Sequence, residues 1–561
     1  MKQFCVAMLA ILTACAAYGE QTAEVVYTNG TIYTVDEDMP WASELGVQQG
    51  RIVCVGAPGA CDSFSGLRED LQGRFVMPGF IDSHNHVTYA RGTGMIDLAP
   101  ATNYEEFRAL IEEFAAARPD LPWIIGDGWN YSIFPSGMPN YRDLEGLADG
   151  RPMMLISYDA HTKLLNRTAM NAFGLTDAAE RTPIGSIVRD IDGKLTGIFK
   201  AALYISEEDQ KALNAILPPP DEEDLYQSFL GNLDEAASVG ITTIVEPQNY
   251  PEDLGRYERA RREGKLKAHI RLALYHSPNV SAEEFQEYKA IHDRYRNDPD
   301  IRVPALKLYV DDVIESETAA VFEPYVGSEN VGELFYDPEE FKTLVTRLDA
   351  EGFQLFIHAI GDRGIHTALD ALEAAKVANG KPDAPHQLVH LELMNPDDID
   401  RLAALDVSAA IQPRHLSPDI TAQWAKSVGE ARHKYAWPLK SLADAGTRFA
   451  FSSDWNVAEM NPFIGIFTAV NRTGLAGNPE GGWQPQERID LATALEGYTI
   501  MGAISNGIEA DRGSLEVGKF ADLVFLNVNP FEVAPLALKD VQVLKTVFQG
   551  RAVYDVPTSQ N

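Results

Sequence analysis

The sequence predicts a parallel α/β fold built as a (β/α)8 barrel, with a small β-sandwich formed by the two ends of the chain. About eight strand-like apolar runs alternate with helix-like segments through the middle of the chain. After a first run at 76–82 they lie at 241–245, 270–274, 305–310, 354–357, 388–391, 408–411 and 449–452. Period-two alternation near both ends, over 24–55 and 513–553, predicts the β-sandwich.

These patterns divide the chain into four parts. We expect an export leader at 1–19, the first part of the β-sandwich at 20–76, the barrel at 77–510 and the second part of the β-sandwich at 511–561. The interval from His86 to Ile241 is too long for one βα unit, so we predict that it holds a barrel strand plus an inserted subdomain at roughly 120–220. A chain of 561 residues, 45% of them hydrophobic, can bury the cores of more than one domain.

The leader begins with Met1-Lys2 and an apolar stretch from Phe4 to Ala17. That length suits a signal peptide and falls short of the roughly 20 residues of a membrane-spanning helix. Leu12-Thr13-Ala14-Cys15 also fits a bacterial lipobox with Cys15 as the lipidated residue; the alternative is ordinary cleavage near Gly19. We predict an exported, periplasmic protein, either a lipoprotein anchored at Cys15 or simply secreted. No other stretch is long and apolar enough to cross a bilayer.

Charge and cysteine content narrow the partners and the compartment. The chain has 82 acidic and 47 basic residues, a formal net charge of −35. Such a surface repels phosphate backbones, so we predict a small-molecule substrate and no nucleic-acid partner. Oligomeric state stays open, with a homo-oligomer as one outcome. In an oxidising compartment Cys54 and Cys61 can form a disulfide; the alternative is two small buried residues.

The first apolar run ends in His84-Asn85-His86. Residues i and i+2 of a strand point to the same face, so both imidazoles leave one side of one strand end. Two adjacent imidazoles can bind one divalent metal. The alternative is a pair of solvent-exposed loop histidines, but four more candidate ligands, each in or at the end of an apolar run, favour the metal.

Those further candidates lie where the active sites of barrels are built, at the carboxyl ends of successive strands. They are Lys307, His358, His390 and Asp454. Taken singly, either histidine could be a hydrogen-bonded core residue, and Asp454 could be a helix N-cap. Imidazole and carboxylate ligands together favour zinc, as one or two ions.

Lys307 is unusual because an unpaired ammonium in an apolar strand is costly. Burial lowers the pKa of a lysine and makes its neutral amine available. That amine can add carbon dioxide and become a carboxylated lysine, an anionic bridge between two metals. The structural alternative is a salt bridge to Asp311, Asp312 or Glu315.

The order of these residues resembles the amidohydrolase superfamily, with HxH on the first strand, Lys on the fourth, His on the fifth and sixth, and Asp on the eighth. More closely, the chain is similar to the YtcJ-like branch, which includes N-substituted formamide deformylases. The motifs that carry this similarity are Gly126-Asp127-Gly128-Trp129, Asp159-Ala160-His161, Lys307-Leu308-Tyr309-Val310-Asp311, His358-Ala359-Ile360-Gly361-Asp362-Arg363 and Ser453-Asp454-Trp455. The chain has Asp312 where the branch usually has glycine, so the resemblance implies no particular substrate.

The resemblance and the ligand set together imply a hydrolase that cleaves a non-peptide C–N bond with metal-activated water. Asp454 is the expected general base, and it also returns the proton to the leaving nitrogen. We expect His390 or His161 to stabilise the oxyanion or to bind substrate. Trp129, Trp437 and Trp455 are candidates for an apolar pocket, with ordinary packing as the alternative. The competing functions are a peptidase or esterase on the same site and a non-catalytic exported binding protein.

Overall fold

The computed structural model describes residues 21–89, 94–134, 138–180, 182–200, 207–218 and 221–556. The predicted leader, with Cys15 and its lipobox, lies outside this part of the chain. Every helix within it is too short or too polar to span a bilayer.

Strands and helices are numbered along the chain. The strands are β1 (Gln21–Thr28), β2 (Thr31–Tyr33), β3 (Trp41–Ala42), β4 (Glu44–Gln48), β5 (Arg51–Gly56), β6 (Phe64–Asp70), β7 (Phe75–Pro78), β8 (Phe80–Asp82), β9 (Met95–Asp97), β10 (Ile124–Trp129), β11 (Met153–Ser157), β12 (Thr162–Leu165), β13 (Ser186–Arg189), β14 (Leu195–Lys200), β15 (Ile241–Asn249), β16 (His269–Tyr275), β17 (Ile301–Tyr309), β18 (Gln354–Ala359), β19 (Gln387–His390), β20 (Ser408–Ala410), β21 (Leu523–Leu526), β22 (Val543–Phe548) and β23 (Arg551–Asp555). The helices are α1 (Tyr104–Ala117), α2 (Arg167–Ala172), α3 (Glu207–Ile216), α4 (Glu222–Ser238), α5 (Leu254–Arg262), α6 (Ala282–Tyr295), α7 (Pro338–Ala350), α8 (Asp362–Asn379), α9 (Ile399–Leu405), α10 (Ala422–Val428), α11 (Leu439–Asp444), α12 (Pro462–Asn471), α13 (Leu491–Gly497) and α14 (Ile500–Ser505).

The centre of the molecule is a curled parallel sheet in the order β20-β19-β18-β17-β16-β15-β8. Where the sequence predicts an eighth strand, the extended segment 449–452 forms only an isolated bridge to Ala409. It nevertheless hydrogen-bonds in two directions. The Ala450 N–H donates to the Ala409 carbonyl oxygen beside β20 (2.9 Å), and the Phe451 carbonyl oxygen accepts from the Ser83 N–H after β8 (3.2 Å). Both outer strands therefore meet this segment.

The parallel strands are apolar on both faces because both faces are covered. One face contributes an inner layer of one buried residue from each of β15 to β20 and one from the segment 449–452, with small alanines beside larger side chains; it consists of Val245, Ala273, Ala305, Phe356, Val389, Ala410 and Ala450. Neighbouring residues on the other face join a larger core that includes residues of α4 to α8. Burial on both faces explains the near-continuous hydrophobic runs of the sequence.

Between β8 and β15 lies a separate sheet in the order β13-β14-β12-β11-β10-β9. It begins at Met95, earlier than the insertion boundary expected near residue 120. β15 pairs directly with β8 in parallel register. All the described strands of this interval belong to the inserted sheet, so the barrel strand predicted here is not found among them.

The chain ends form two further sheets, β5-β4-β1-β6 and β23-β22-β21-β7-β2-β3, which share one apolar core. Cys54 and Cys61 are joined by a disulfide. β7 pairs with β21 and continues through Gly79 into β8. A Cβ on Gly79 would lie 2.2 Å from the Thr242 hydroxyl oxygen, so only glycine permits this close passage. The flank thereby fixes the strand that ends in the two predicted ligands.

Candidate metal centre

A cavity of about 520 Å³ lies at the carboxyl ends of the parallel strands. This volume is within the usual range for small-molecule sites. Its wall combines strand-end residues with residues of the inserted sheet. The ionisable lining residues are His84, His86, Asp127, Asp159, His161, Lys163, Glu246, Asp253, Arg256, His358, His390 and Asp454.

His84, His86 and Asp454 converge in the cavity. Oδ1 of Asp454 lies 3.4 Å from Nε2 of His84 and 3.2 Å from Nε2 of His86. The backbone ties the two segments together, since the Asp454 N–H donates to the His84 carbonyl oxygen (2.8 Å). Asp82 adds a second tie by accepting from the Ser453 hydroxyl (2.6 Å). The predicted proximity of the two histidines to Asp454 is what the structure shows.

Glu246, at the end of the apolar run of β15, orients His86. The Nδ1–H of His86 donates to Oε1 of Glu246 (3.1 Å), which leaves Nε2 directed at Asp454. The Thr88 N–H and hydroxyl both donate to Oε2 of Glu246 (3.1 and 3.0 Å). A carboxylate that fixes the ring of a metal-binding histidine is a common feature of metal sites.

His358 and His390 approach from β18 and β19. Their ring centroids are 4.6 Å apart, and that of His390 is 5.3 Å from that of His84. The Nε2–H of His358 donates to the Asp312 carbonyl oxygen (3.2 Å), so its Nδ1 is the nitrogen left for a ligand. Nδ1 of His390 is buried without a hydrogen-bond partner in the described part of the chain.

Lys307 is fully buried, and within the described residues its Nζ has no hydrogen-bond partner. It therefore makes none of the salt bridges considered as alternatives, and Nζ lies 4.9 Å from the centroid of the Tyr309 ring. Burial lowers the pKa of Lys307 to about 7, against the opposing effect of Asp454 and Glu246. The amine is thus available in its neutral form near neutral pH.

The protonation of three of the histidines and of Asp454 suits cation binding. His86 differs: burial opposes its charged form, but Asp454 and Glu246 raise its pKa to about 9, so a cation bound there would displace a proton. Burial lowers the pKa of His84, His358 and His390 well below its ordinary value, which keeps these imidazoles neutral. For Asp454, burial favours the acid, but the neighbouring histidines hold the pKa well below its usual range. His84, His390 and Asp454 each offer one ligand atom within 4.8 Å of the others. Neutral imidazoles, a carboxylate and an unpaired lysine nitrogen form a donor set that fits a divalent metal.

His161 reaches the cavity from the loop between β11 and β12 of the inserted sheet. Its Nδ1–H donates to the Asp312 carboxylate, and its backbone N–H donates to Oδ1 of Asp159 (3.1 Å). Burial opposes the charged form of His161, but Asp312 raises the pKa above the ordinary value.

With this geometry established, the sequence was compared with known proteins. The family profile described as "Amidohydrolase family" matches residues 69–554. The chain belongs to the amidohydrolase family. It is 26% identical to the amidohydrolase YtcJ of Bacillus subtilis, over 95% of this chain and 99% of the relative. It is 27% identical to the N-substituted formamide deformylase of Arthrobacter pascens, with the same coverage. The predicted resemblance is confirmed.

The fold has solved counterparts. An uncharacterized metal-dependent hydrolase from Pyrococcus horikoshii superposes with a TM-score of 0.69 at 24% sequence identity, over 91% of this amidohydrolase and 99% of the other chain. At that identity the likeness supports the fold.

The tryptophans of this amidohydrolase do not form the predicted pocket. Trp129 is fully buried in the inserted subdomain, where its indole N–H donates to the Leu155 carbonyl oxygen (3.1 Å). Trp437 is buried against Trp424, with ring centroids 4.9 Å apart. The half-buried Trp455 ring is not among the cavity-lining residues in the part of the chain described, and its carbonyl oxygen accepts from the His86 N–H (2.6 Å). These three tryptophans serve packing and backbone positioning.

Four residues of the amidohydrolase site were missed in the sequence. Glu246 follows an apolar run just as Asp454 does, so the same pattern could have identified it. Glu392 lies two residues after His390, and His415 lies shortly after the end of β20. Both reach a deeper part of the cavity. Asp312 was considered only as a partner of Lys307. No local pattern indicates that a loop of the inserted sheet brings His161 to it.

Proposed function

We propose that this protein is a metal-dependent hydrolase that cleaves a non-peptide C–N bond in a small amide, formamide or cyclic amide. The observation that carries the proposal is the buried carboxylate of Asp454, 3.2 to 3.4 Å from the Nε2 atoms of His84 and His86 and open to a substrate-sized cavity. The similarity to N-substituted formamide deformylase over nearly the whole chain supports the same bond class.

The residues that would hold the metal are His84, His86, His358, His390, Asp454 and a modified Lys307. Zinc is the proposed ion, because the donors are imidazoles and carboxylates. A bound divalent ion supplies Lewis acidity and lowers the pKa of a bound water toward neutrality. Glu246 holds the ring of His86 and leaves its Nε2 for a ligand. The Asp312 carbonyl oxygen holds the ring of His358 and leaves its Nδ1.

Asp454 is the proposed general base. Its carboxylate is ionised in the site, so it can accept a proton from the attacking water. The same group then donates that proton to the leaving nitrogen, which makes the amine a better leaving group. Proton return matters for C–N cleavage, because an amide anion is a poor leaving group.

His161 and His390 are the proposed groups for the substrate carbonyl. With its Nδ1–H held by Asp312, His161 presents its other nitrogen to the cavity as a donor. A preorganised donor toward a developing oxyanion typically contributes about 10²–10³ in kcat.

The experiment is a substrate panel with zinc-loaded protein: N-formyl, N-acyl and cyclic amides, together with a matched ester and a dipeptide. We expect turnover of at least one non-peptide amide that is lost on chelation and restored by metal. Turnover confined to the dipeptide or ester would replace the proposal with a peptidase or esterase. Metal binding without turnover of any member would favour the non-catalytic binding protein.

Carboxylation of Lys307 is proposed as the anionic bridge between two ions. The buried neutral amine without a described hydrogen-bond partner supports it, since carbon dioxide adds to a neutral amine. A crystal structure of zinc-loaded protein grown with bicarbonate tests it. Density for a carboxylated side chain between two ions is the expected result; a plain ammonium beside one ion would contradict it.

We also propose export to the periplasm, with or without a lipid on Cys15. The disulfide between Cys54 and Cys61 supports it, because such bonds persist in oxidising compartments. Fractionation and the mass of the mature N-terminus test it. A mature chain starting at a lipidated Cys15 would establish the lipoprotein, a start near Glu20 would establish simple cleavage, and an intact Met1 in the cytosol would refute export.

A further inference from the structure

A deep pocket opens off the main cavity beside the candidate metal ligands. Its free volume is about 50 Å³, roughly a third of a cavity that accommodates benzene. It shares His358, His390 and Asp454 with the main cavity. Any group bound in this pocket is therefore adjacent to the reacting centre, and the pocket admits only a small group.

The pocket has both acidic and apolar lining residues. Besides Asp454, which faces the candidate metal ligands, three carboxylates line it, those of Asp159, Glu315 and Glu392. No lysine or arginine is present among the described residues that line it. The apolar walls come from Val313, Ile360, Ile420 and Val457.

The three carboxylates differ in how well they are satisfied. Asp159 accepts from the Tyr131 hydroxyl (2.9 Å), from Ser157 and from the His161 N–H (3.1 Å).

Glu315 accepts one long hydrogen bond from the Tyr158 hydroxyl, at 3.5 Å. Glu392 is 5% exposed, and its Oε2, although near the indole of Trp424, accepts no hydrogen bond of normal geometry from any described residue. A buried carboxylate oxygen without a partner is expensive, so this atom requires a donor or a cation.

We propose that the deep pocket binds the ammonium group of the substrate, so that the preferred substrates are amides or formamides carrying a short aliphatic primary amine. An ammonium has three donors, which matches three convergent carboxylates, and the apolar walls suit its methylene chain. Burial and Asp159 raise the pKa of Glu315 to about 7, against the opposing effect of His161. This inference takes from the proposed function only the class of the scissile bond.

A metal ion is the rival occupant. His390, Glu392 and His415 offer ligand atoms within 4.8 Å of one another. However, His390 also belongs to the set formed with His84 and Asp454, so a second ion in the deep pocket would have to share this side chain with the first. A metal there would also leave Asp159 and Glu315 without a role.

The first test compares matched substrates on zinc-loaded protein. The cationic series is N-acetyl-1,2-diaminoethane, N-acetyl-1,3-diaminopropane and N-acetyl-1,4-diaminobutane, and each has a neutral partner with a terminal methyl in place of the ammonium. We expect at least one cationic member to exceed its partner about tenfold or more in kcat/KM. Equal values across the series would overturn the proposal.

The second test uses Glu392→Gln and Glu315→Gln, which keep shape and remove charge. The control is Glu329→Gln, an exposed carboxylate away from the pocket. We expect either pocket variant to lose most of the preference for the cation while the control retains it. Both pocket variants should keep the wild-type metal content; loss of one metal equivalent would overturn the proposal in favour of the rival ion.

A binding measurement separates this inference from the proposed function. Calorimetry with ethylammonium and propylammonium chlorides, against ethanol, propanol and sodium chloride, requires no turnover. We expect alkylammonium binding that is weakened about tenfold or more in Glu392→Gln and unchanged in Glu329→Gln. Alkylammonium binding by a protein that is inactive on every amide would refute the proposed hydrolase and support the cation-binding pocket. An active hydrolase that binds no alkylammonium would support the proposed function and refute the cation-binding pocket.

Discussion

The two ends of β18 and β19 differ in whether their buried polar side chains have hydrogen-bond partners. At the first residues, Gln354 donates to the carbonyl oxygens of Pro385 and Ser505 (2.6 and 2.7 Å), and Gln387 donates to Ser505 and Asn506 (3.0 and 3.1 Å). At the other end of β19, Nδ1 of His390 has no partner in the described part of the chain. Two residues of one strand thus differ in whether the fold satisfies them.

The difference separates stability from function. A buried polar atom without a partner costs about 1–3 kcal/mol, and the amino ends of these strands avoid that cost. At the carboxyl ends of the sheet, His390 on β19 and Lys307 on β17 bear this cost, and a carboxylate and further imidazoles lie in the same site. A shared cation would satisfy all of them at once. The comparison therefore predicts that substitutions at one end change metal binding and turnover, while those at the other change stability.

The largest effect is expected from His84→Ala combined with His86→Ala. Both imidazoles face Asp454, so their removal should abolish metal binding and bring turnover below detection. Metal analysis and a turnover assay measure this, with His366→Ala, a partly exposed histidine on α8, as control. Full metal content in the double variant would show that the ligand assignment is wrong.

Asp454→Asn should lower kcat by about 10²–10⁴ while KM changes less, because the lost proton transfer belongs to the transition state. Asparagine tolerates the left-handed backbone of this position (φ 56°), so the fold should persist. At least one metal should stay on the imidazoles. A helix-capping role predicts near wild-type kcat, since asparagine caps well; that outcome in a folded, metal-loaded variant would refute the general base.

A pair of substitutions within β19 tests the comparison directly. His390→Ala should reduce metal content and lower kcat by about 10². Gln387→Met removes two hydrogen bonds, so it should lower the free energy of unfolding by about 1–3 kcal/mol and leave kcat unchanged. Urea denaturation and kinetics on both variants provide the measurement. A comparable loss of kcat in both variants would show that the two ends of β19 do not differ in function.

His276 sharpens the comparison because it is an unpaired buried histidine outside the site. It follows β16, both its ring nitrogens lack partners among the described residues, and burial lowers its pKa to about 4. The unfolded chain binds the proton first, so acidification destabilises the fold between pH 6.5 and 4.

Between pH 7 and pH 5, this single group should lower the free energy of unfolding of the wild-type protein by about 2 kcal/mol. The free energy of unfolding of His276→Leu should fall by less over the same range. Denaturation of both proteins at the two pH values measures the difference. An identical pH dependence would show that His276 is not titrating in this range. Metal content should be the same in both, because His276 belongs to neither candidate ligand group among the described residues.

The sequence was sufficient for features fixed by local periodicity. His84 and His86 share a face by strand geometry, and Asp454 is recognisable as the polar end of an apolar run. Neither inference needs tertiary information. The alternation of runs was likewise enough to predict parallel strands in order, because each run is buried on both faces.

Features set by contacts between distant segments were not predictable. The prediction placed Trp129 at the substrate, but it packs inside the inserted subdomain, because the apolar neighbours that receive its ring are scattered along the sequence. The prediction of a barrel strand between His86 and Ile241 was wrong for the same reason. The pairing of β8 with β15 depends on contacts between distant segments, which composition does not show. The partnership of His161 with Asp312 spans 151 residues and two sheets.

The pairing of β7 with β21 has a consequence for how the chain reaches its native state. Phe75 lies opposite Leu526, more than four hundred residues later, and β7 leads directly into the strand that ends in His84. Contacts so distant in sequence form late, since the loop between them must be ordered first. Nearly the whole polypeptide must therefore be synthesised before β7 and β21 can pair. Truncation before Leu523 should leave β7 with an open edge and a folding intermediate prone to aggregation.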